Sequence, residues 1–121
     1  MMTATPASLY QEERPWGDFT VLQEMPHYKL KQLRVQPGHR LSLQLHNHRE
    51  EHWIVTQGNA TVTVGSKTWV AATGEHIYIP AQTQHRLANL EETMLEIIEV
   101  QQGSSFAEED IVRFEDDYTR V

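Results

Sequence analysis

The sequence contains no cysteine, which excludes disulfides and thiolate metal sites and leaves oxygen and imidazole as the available ligand types. That absence fits a reducing compartment. No segment approaches the roughly eighteen apolar residues of a membrane span. The opening MMTATPASLYQEERPWG has no apolar stretch between a basic start and a small-residue cleavage site, so the expectation is a cytoplasmic protein with no membrane partner. Basic residues are scarce: 10 Lys and Arg stand against 17 Asp and Glu, a formal charge of −7. Nucleic acid is therefore not expected as a partner, because phosphate backbones demand clustered cations. The acidity is uneven, since Glu108, Glu109, Asp110, Glu115, Asp116 and Asp117 against Arg113 place −5 of the −7 between positions 108 and 117. At physiological salt the screening length is about 8 Å, so such a tail need not repel an anionic ligand from a site deep in the domain. The six glycines are not clustered, and a nucleotide-binding phosphate loop is excluded.

Hydrophobic residues make up 39% of the chain and charged residues 22%, ordinary globular usage that supports neither a disordered nor a fibrous reading. A length of 121 residues predicts one domain over 1–121, with an N-terminal arm at 1–13 and an acidic tail at 104–121. Apolar and polar residues alternate in YKLKQLRV (28–35), RLSLQLH (40–46), WIVTQ (53–57), ATVTV (60–64), TWVAA (68–72), HIYIP (76–80) and MLEIIEV (94–100), the period of half-buried strands. Pro37-Gly38, Gly58-Asn59, Gly65-Ser66 and Thr73-Gly74 supply turns between them. Many short strands with little helical periodicity predict an all-β sandwich or small barrel. One short C-terminal helix is predicted where Ser105-Phe106-Ala107-Glu108 has the form of a capping box leading into EEDIVRF.

The stretch QLHNHREEHW at 44–53 concentrates six potential donors. Gln44, His46 and His48 are spaced by two, so a strand would project all three from one face. Imidazole suits several transition metals, carboxylate hardens a site, and an amide oxygen is a weaker ligand. The spacing is equally compatible with a chance surface grouping of histidines.

Two longer spacings resolve the ambiguity. Gly38, five residues, Gln44, one residue, His46, four residues, Glu51, six residues and Gly58 form one register. Gly74, five residues, Pro80, then Gln82, His85 and Asn89 form a second, fifteen residues later. Together they resemble the two motifs of the cupin superfamily, with Gln44 in place of the first histidine and Gln82 in place of a glycine. The resemblance implies a jelly-roll (double-stranded β-helix) barrel and a metal held by Gln44, His46, Glu51 and His85. Aligning His46 and His48 on the two motif histidines breaks both spacings. The segment LSLQLH at 41–46 also resembles the LSxQxH of zinc-dependent phosphomannose isomerases, whose Gln and His bind metal. A neutral Gln44 is also compatible with orienting a ligand or water from outside the coordination sphere.

The flanking segments RPWG (14–17), YKLKQLRVQPG (28–38), LSLQLHNHREEHWIV (41–55), YIPAQTQHRLAN (78–89) and IEVQQG with EEDIVRFEDDY (98–118) resemble the C-terminal cupin domain of type II phosphomannose isomerases, which is usually fused to a mannose-1-phosphate guanylyltransferase. With no phosphate loop in the 121 residues, the expectation is a stand-alone cupin retaining only the isomerase half of that chemistry. The resemblance implies conversion of mannose 6-phosphate to fructose 6-phosphate with one divalent ion, zinc first and manganese, cobalt, nickel or iron as alternatives. Interconverting an aldose and a ketose moves a proton between C1 and C2, so a base must reach those carbons. His48 is the first candidate, with Lys31 a third after Glu51, which is a poor base if it is a ligand. His48 is equally compatible with a third metal ligand or a hydrogen-bonded core histidine. For the phosphate, Arg40 shares parity with Gln44 and His46, and Lys29 and Lys31 share one face of the preceding strand; for each lysine a solvent-directed side chain is the plain alternative. Trp53, in phase with Glu51, is a candidate wall of the sugar pocket. Two other classes compete: a non-catalytic sugar-phosphate or nucleotide-sugar binding module accompanying a separate guanylyltransferase, and an iron-dependent oxygenase. A small barrel leaves sheet edges exposed, which predicts a homodimer.

Overall fold

The computed structural model describes residues 10–118, and among them there are eleven strands and no helix. Six strands form one sheet in the order β1 (Tyr10–Arg14), β2 (Gly17–Met25), β3 (Tyr28–Val35), β10 (Leu95–Gly103), β5 (Arg49–Gln57) and β8 (His76–Ile79). Five form the other, in the order β11 (Val112–Glu115), β4 (Leu43–Leu45), β9 (His85–Ala88), β6 (Ala60–Val64) and β7 (Lys67–Ala71). Every pairing is antiparallel. The chain crosses repeatedly between the sheets, as β3, β5 and β10 in one alternate with β4, β6 and β9 in the other. This is the cupin jelly roll implied by the two motifs.

The predicted C-terminal helix is not there. Residues 105–110 form turns and 112–115 extend as β11 along β4. A capping box stabilises a helix only if the following turns bury an apolar face, and Val112 and Phe114 instead stand in a strand that completes a sheet edge. The tail assigned to 104–121 is thus partly structural, as is the arm at 1–13, whose last residues belong to β1; positions 1–9 and 119–121 lie outside the described residues.

The inner face of the larger sheet is divided along its length. β3 points Lys29, Lys31, Leu33 and Val35 inward, β10 points Leu95, Ile97, Glu99 and Gln101, and β5 points Arg49, Glu51, Trp53 and Val55. Their register sets Leu33, Ile97 and Val55 at one level, Lys31, Glu99 and Trp53 at the next, and Lys29, Gln101 and Glu51 beyond that. The apolar levels join Val62, Ile77, Ile79 and Leu87 in a continuous core. The polar levels make one end of the barrel a chemical cavity. At that end β10 approaches the start of β5 so closely that a Cβ on Gly103 would lie 2.2 Å from the carbonyl oxygen of His48.

The turn before β9 carries one unfavourable residue. Gln82 adopts φ +62°, a left-handed conformation that strains any residue with a Cβ, while its amide donates to the His46 carbonyl at 2.7 Å. Gln82→Gly is expected to raise unfolding stability by about 1 kcal/mol, read as an increase of roughly 4 °C in thermal midpoint. An unchanged or lower midpoint would show that the Gln82 side chain contributes more than its backbone conformation takes away.

Candidate metal centre

His46, Glu51 and His85 converge at the polar end. One donor atom from each lies within 4.8 Å of the others, and all three residues are buried. His46 follows β4 and His85 opens β9 in the smaller sheet, while Glu51 comes from β5 opposite, so the cluster bridges the two layers. Glu51 Oε2 stands 3.2 Å from His46 Nε2, and its Oε1 stands 3.8 Å from His85 Nε2. Each imidazole is oriented from behind: His46 Nδ1 donates to the Asp110 carbonyl at 2.7 Å and His85 Nδ1 to the Thr83 carbonyl at 3.0 Å. Because carbonyls only accept, both Nε2 atoms carry lone pairs toward Glu51, the tautomer a metal-binding histidine requires. Burial pushes His85 below the ordinary imidazole value despite the opposing pull of Glu51, which keeps the ligand form at neutral pH. These residues fit a divalent cation.

Gln44 lines the same cavity and pairs in register with His85. Its amide nitrogen lies 3.5 Å from the Ser42 carbonyl, at the outer limit of a hydrogen bond, and its oxygen is the atom suited to a cation.

The cavity spans about 730 Å³ with its mouth included. Sequence reasoning missed three of its polar side chains, Arg49, Glu99 and Gln101. Arg49 Nη2 lies 3.1 Å from His46 Nε2 and its Nε 3.2 Å from Glu51 Oε2, so the guanidinium neutralises the carboxylate from the side. Trp53 lines the cavity, and its indole N–H is shared between Glu51 Oε1 at 3.0 Å and Glu99 Oε2 at 3.1 Å. The two carboxyls are driven apart. Burial alone would raise Glu51, but the adjacent imidazoles of His46 and His85, a hydrogen bond from Glu99 and the Arg49 guanidinium hold it well below the usual carboxylate range. Burial and the adjacent Glu51 charge push Glu99 up to about 8. The pair therefore holds one proton at neutral pH, and it resides on Glu99. Gln101, 1% exposed, donates to Glu99 Oε1 at 2.7 Å while its own Oε1 has no partner among the described residues.

Two predicted site residues stand elsewhere. Arg40 pairs with Asp117 on the surface, with Nε 2.6 Å from Oδ2, and does not line the cavity. His48 is 61% exposed, with Nδ1 3.2 Å from Asp110 Oδ1, and also lies off the cavity lining. Both corrections have one cause. β4 is only three residues long, Arg40 forms an isolated bridge to Ala88, and the chain bends at 47–48, so period-two parity does not carry from Gln44 to either position. Lys31 does line the cavity, whereas Lys29 lies off its lining; both are buried. His52 faces the opposite side of β5, where its Nδ1 lies 3.0 Å from Nε2 of His76.

Asp110 is the second-layer residue that the sequence conceals. Beyond its carbonyl bond to His46, its carboxylate accepts the amides of Asn47 at 3.0 Å and His48 at 2.9 Å. The acidic segment is thereby tied to the cluster.

The fold is shared with solved structures of low sequence identity. The capsular polysaccharide assembling protein CapF from Staphylococcus aureus superposes with a TM-score of 0.76 at 18% identity, over 89% of this chain and 34% of that one. The nucleoside dehydratase Pac13 does so with a TM-score of 0.75 at 18% identity, over 96% of this chain and 92% of that one. At the level of sequence, the chain is 49% identical over 108 residues to the alginate biosynthesis protein AlgA of Pseudomonas aeruginosa and 47% identical to the xanthan biosynthesis protein XanB of Xanthomonas campestris pv. campestris. It is 44% identical to the mannose-1-phosphate guanylyltransferase ManC of Salmonella typhimurium. Each match covers 89% of this chain, which spans only 22%, 23% and 22% of those relatives respectively. Residues 6–116 match the family described as mannose-6-phosphate isomerase C-terminal, and the chain belongs to that family.

Proposed function

We propose that the chain is a metal-dependent sugar-phosphate isomerase acting on mannose 6-phosphate to give fructose 6-phosphate. The observation that carries this reading is the polar end of the barrel, where Glu51, a proton-holding carboxyl on Glu99 and buried Lys29 and Lys31 share the inner face of the larger sheet and His46 and His85 meet Glu51 from the smaller one. A divalent ion held by His46, Glu51 and His85, with Gln44 alongside, would supply Lewis-acid stabilisation of the sugar oxygen on which charge develops. The chain's own residues account for the rest. Glu99 can give and take a proton near neutral pH, as transfer between C1 and C2 demands. Arg49 and Trp53 keep Glu51 ionised and oriented. The unpartnered Gln101 Oε1 is an acceptor for a sugar hydroxyl, and Lys29 and Lys31 supply charge for a phosphate. The test is a coupled assay of mannose 6-phosphate conversion: turnover should vanish on chelation and return with zinc, cobalt or manganese. No turnover with any of these ions would sink the reading.

A second reading, sugar-phosphate or nucleotide-sugar binding without turnover, draws support from the guanylyltransferase name that one of the relatives carries. Saturable binding in the same assay mixture without product would favour it. We place the protein in the cytoplasm. We also propose a homodimer formed through sheet edges, of which β8, only four residues long, is one; a sedimentation mass near 14.0 kDa would contradict it.

A further inference from the structure

Lys29 and Lys31 point into the barrel from β3 with side chains only 9% and 8% exposed. Desolvated ammonium groups demand an anion. The one they share comes from the loop between β10 and β11: Glu108 Oε1 lies 3.8 Å from Lys29 Nζ and 3.6 Å from Lys31 Nζ. The two sides of this contact differ in freedom. Lys31 is fixed in the wall, its Nζ 4.5 Å from the centre of the Phe19 ring, whereas the Glu108 side chain is 62% exposed. The loop is pinned two residues further on through Asp110, so Glu108 can swing outward while the support behind His46 stays in place. Lys29 has a second neighbour, Glu24, 3.8 Å away and itself 58% exposed.

Distance fits the same picture. β3 is separated from β5 by β10 alone, so the lysines stand two strand spacings, roughly 9.5 Å, from the metal-ligating strand. Gln101 lies between them with its open acceptor. A six-carbon phosphate ester can bridge that interval with its carbonyl end at the cluster.

We propose that the Glu108 carboxylate is the resident occupant of an anion subsite built by Lys29 and Lys31, and that a phosphate monoester binds by displacing it. This deepens the isomerase reading and rests on it only for the remainder of the ligand. Glu108 is then a specificity-determining residue: a dianion with three acceptor oxygens satisfies two ammonium groups better than one carboxylate does, whereas a neutral sugar cannot expel it. Burial raises the Glu108 carboxyl, but Lys31 and Lys29 outweigh it and hold the group below the usual carboxylate range, so at neutral pH the competitor is fully charged.

The test titrates the full chain with inorganic phosphate, mannose 6-phosphate and mannose by calorimetry. Glu108→Gln should tighten both phosphate ligands by about three- to tenfold, the gain expected when an internal competitor holds a site most of the time, and leave mannose unchanged. Glu108→Ala should do the same. Lys31→Met introduced into the Glu108→Gln chain should remove the gain. Unchanged or weaker phosphate binding in a folded Glu108 variant would overturn the proposal, as would tight phosphate binding that survives Lys31→Met. The isomerase assay is read separately, so tighter binding without turnover would count against the catalytic reading and leave this one standing.

Discussion

Zinc added at a hundred times its dissociation constant is expected to raise the unfolding free energy by about 2.7 kcal/mol, or about 10 °C in thermal midpoint for a chain of this size. The expectation follows from which state holds the donors together. His46, Glu51 and His85 come from three segments in two sheets, and the Nε2 atoms of the two histidines are aimed by carbonyls of Asp110 and Thr83, contacts that exist only in the fold. An ion that binds the folded state alone stabilises it by mass action. His85→Ala should abolish the increment and weaken zinc by more than the 10–100-fold that outer supporting groups are worth. It also spares the unliganded fold better than changes at Glu51, whose removal would strand Arg49 and His46 without their carboxylate at a loss of roughly 3–5 kcal/mol. Differential scanning with and without zinc, on the wild type and His85→Ala, measures both quantities. An equal increment in the two proteins would mean that zinc binds elsewhere.

The part of this site that was legible in the sequence is the part written in rigid spacing. β3 and β6 read correctly because YKLKQLRV and ATVTV alternate with only one parity inward. That His46, Glu51 and His85 come together was legible because turns with glycine at Gly38, Gly58 and Gly74, all at positive φ, fix the lengths between them. β9 was missed because all four residues of HRLA are buried, which erases alternation, β1 because YQEER is mainly polar, β2 because its buried residues come as one block at its start instead of alternating, and β11 because the capping-box pattern before it predicted a helix. Glu99 and Gln101 were missed for a different reason. LEIIEVQQ offers apolar residues on both parities, Leu95 and Ile97 inward but Ile98 and Val100 outward, so no pattern says which face enters the barrel. Asp110 supports His46 through a backbone carbonyl sixty-four positions away, and a carbonyl is the same in every residue. Arg40 and His48 show the converse error, a parity rule extended past the three residues in which the strand exists.

Glu99→Gln should make the metal-free protein more stable and the loaded protein inactive, and the combination is what separates a catalytic acid from a packing residue. In the fold the Glu99 carboxyl is raised from 4.5 to about 8, so the folded state binds a proton that the unfolded chain releases. Between those values the unfolded state holds fewer protons, and stability falls as pH rises, by about 1.4 kcal/mol per unit; below 4.5 both states are protonated and the penalty disappears, and above 8 it is complete. Glutamine resembles the protonated acid at every pH. The advantage of Glu99→Gln over the wild type should therefore be near zero at pH 4, grow to a few kcal/mol by pH 8 and then level off, as measured by urea unfolding with a chelator present. The Glu51 charge that raises Glu99 is retained in the variant, so His46, Arg49 and Trp53 keep their partner and the zinc increment should persist. Turnover should fall by about 10²–10⁴, the range for loss of a general acid–base group, with little change in KM. A folded site held this far from its most stable composition is the pattern expected where chemistry rather than packing selected the residue. A variant no more stable at pH 8 than at pH 5, relative to the wild type, would show that Glu99 is ionised in the cavity, and full turnover would remove it from the proton path.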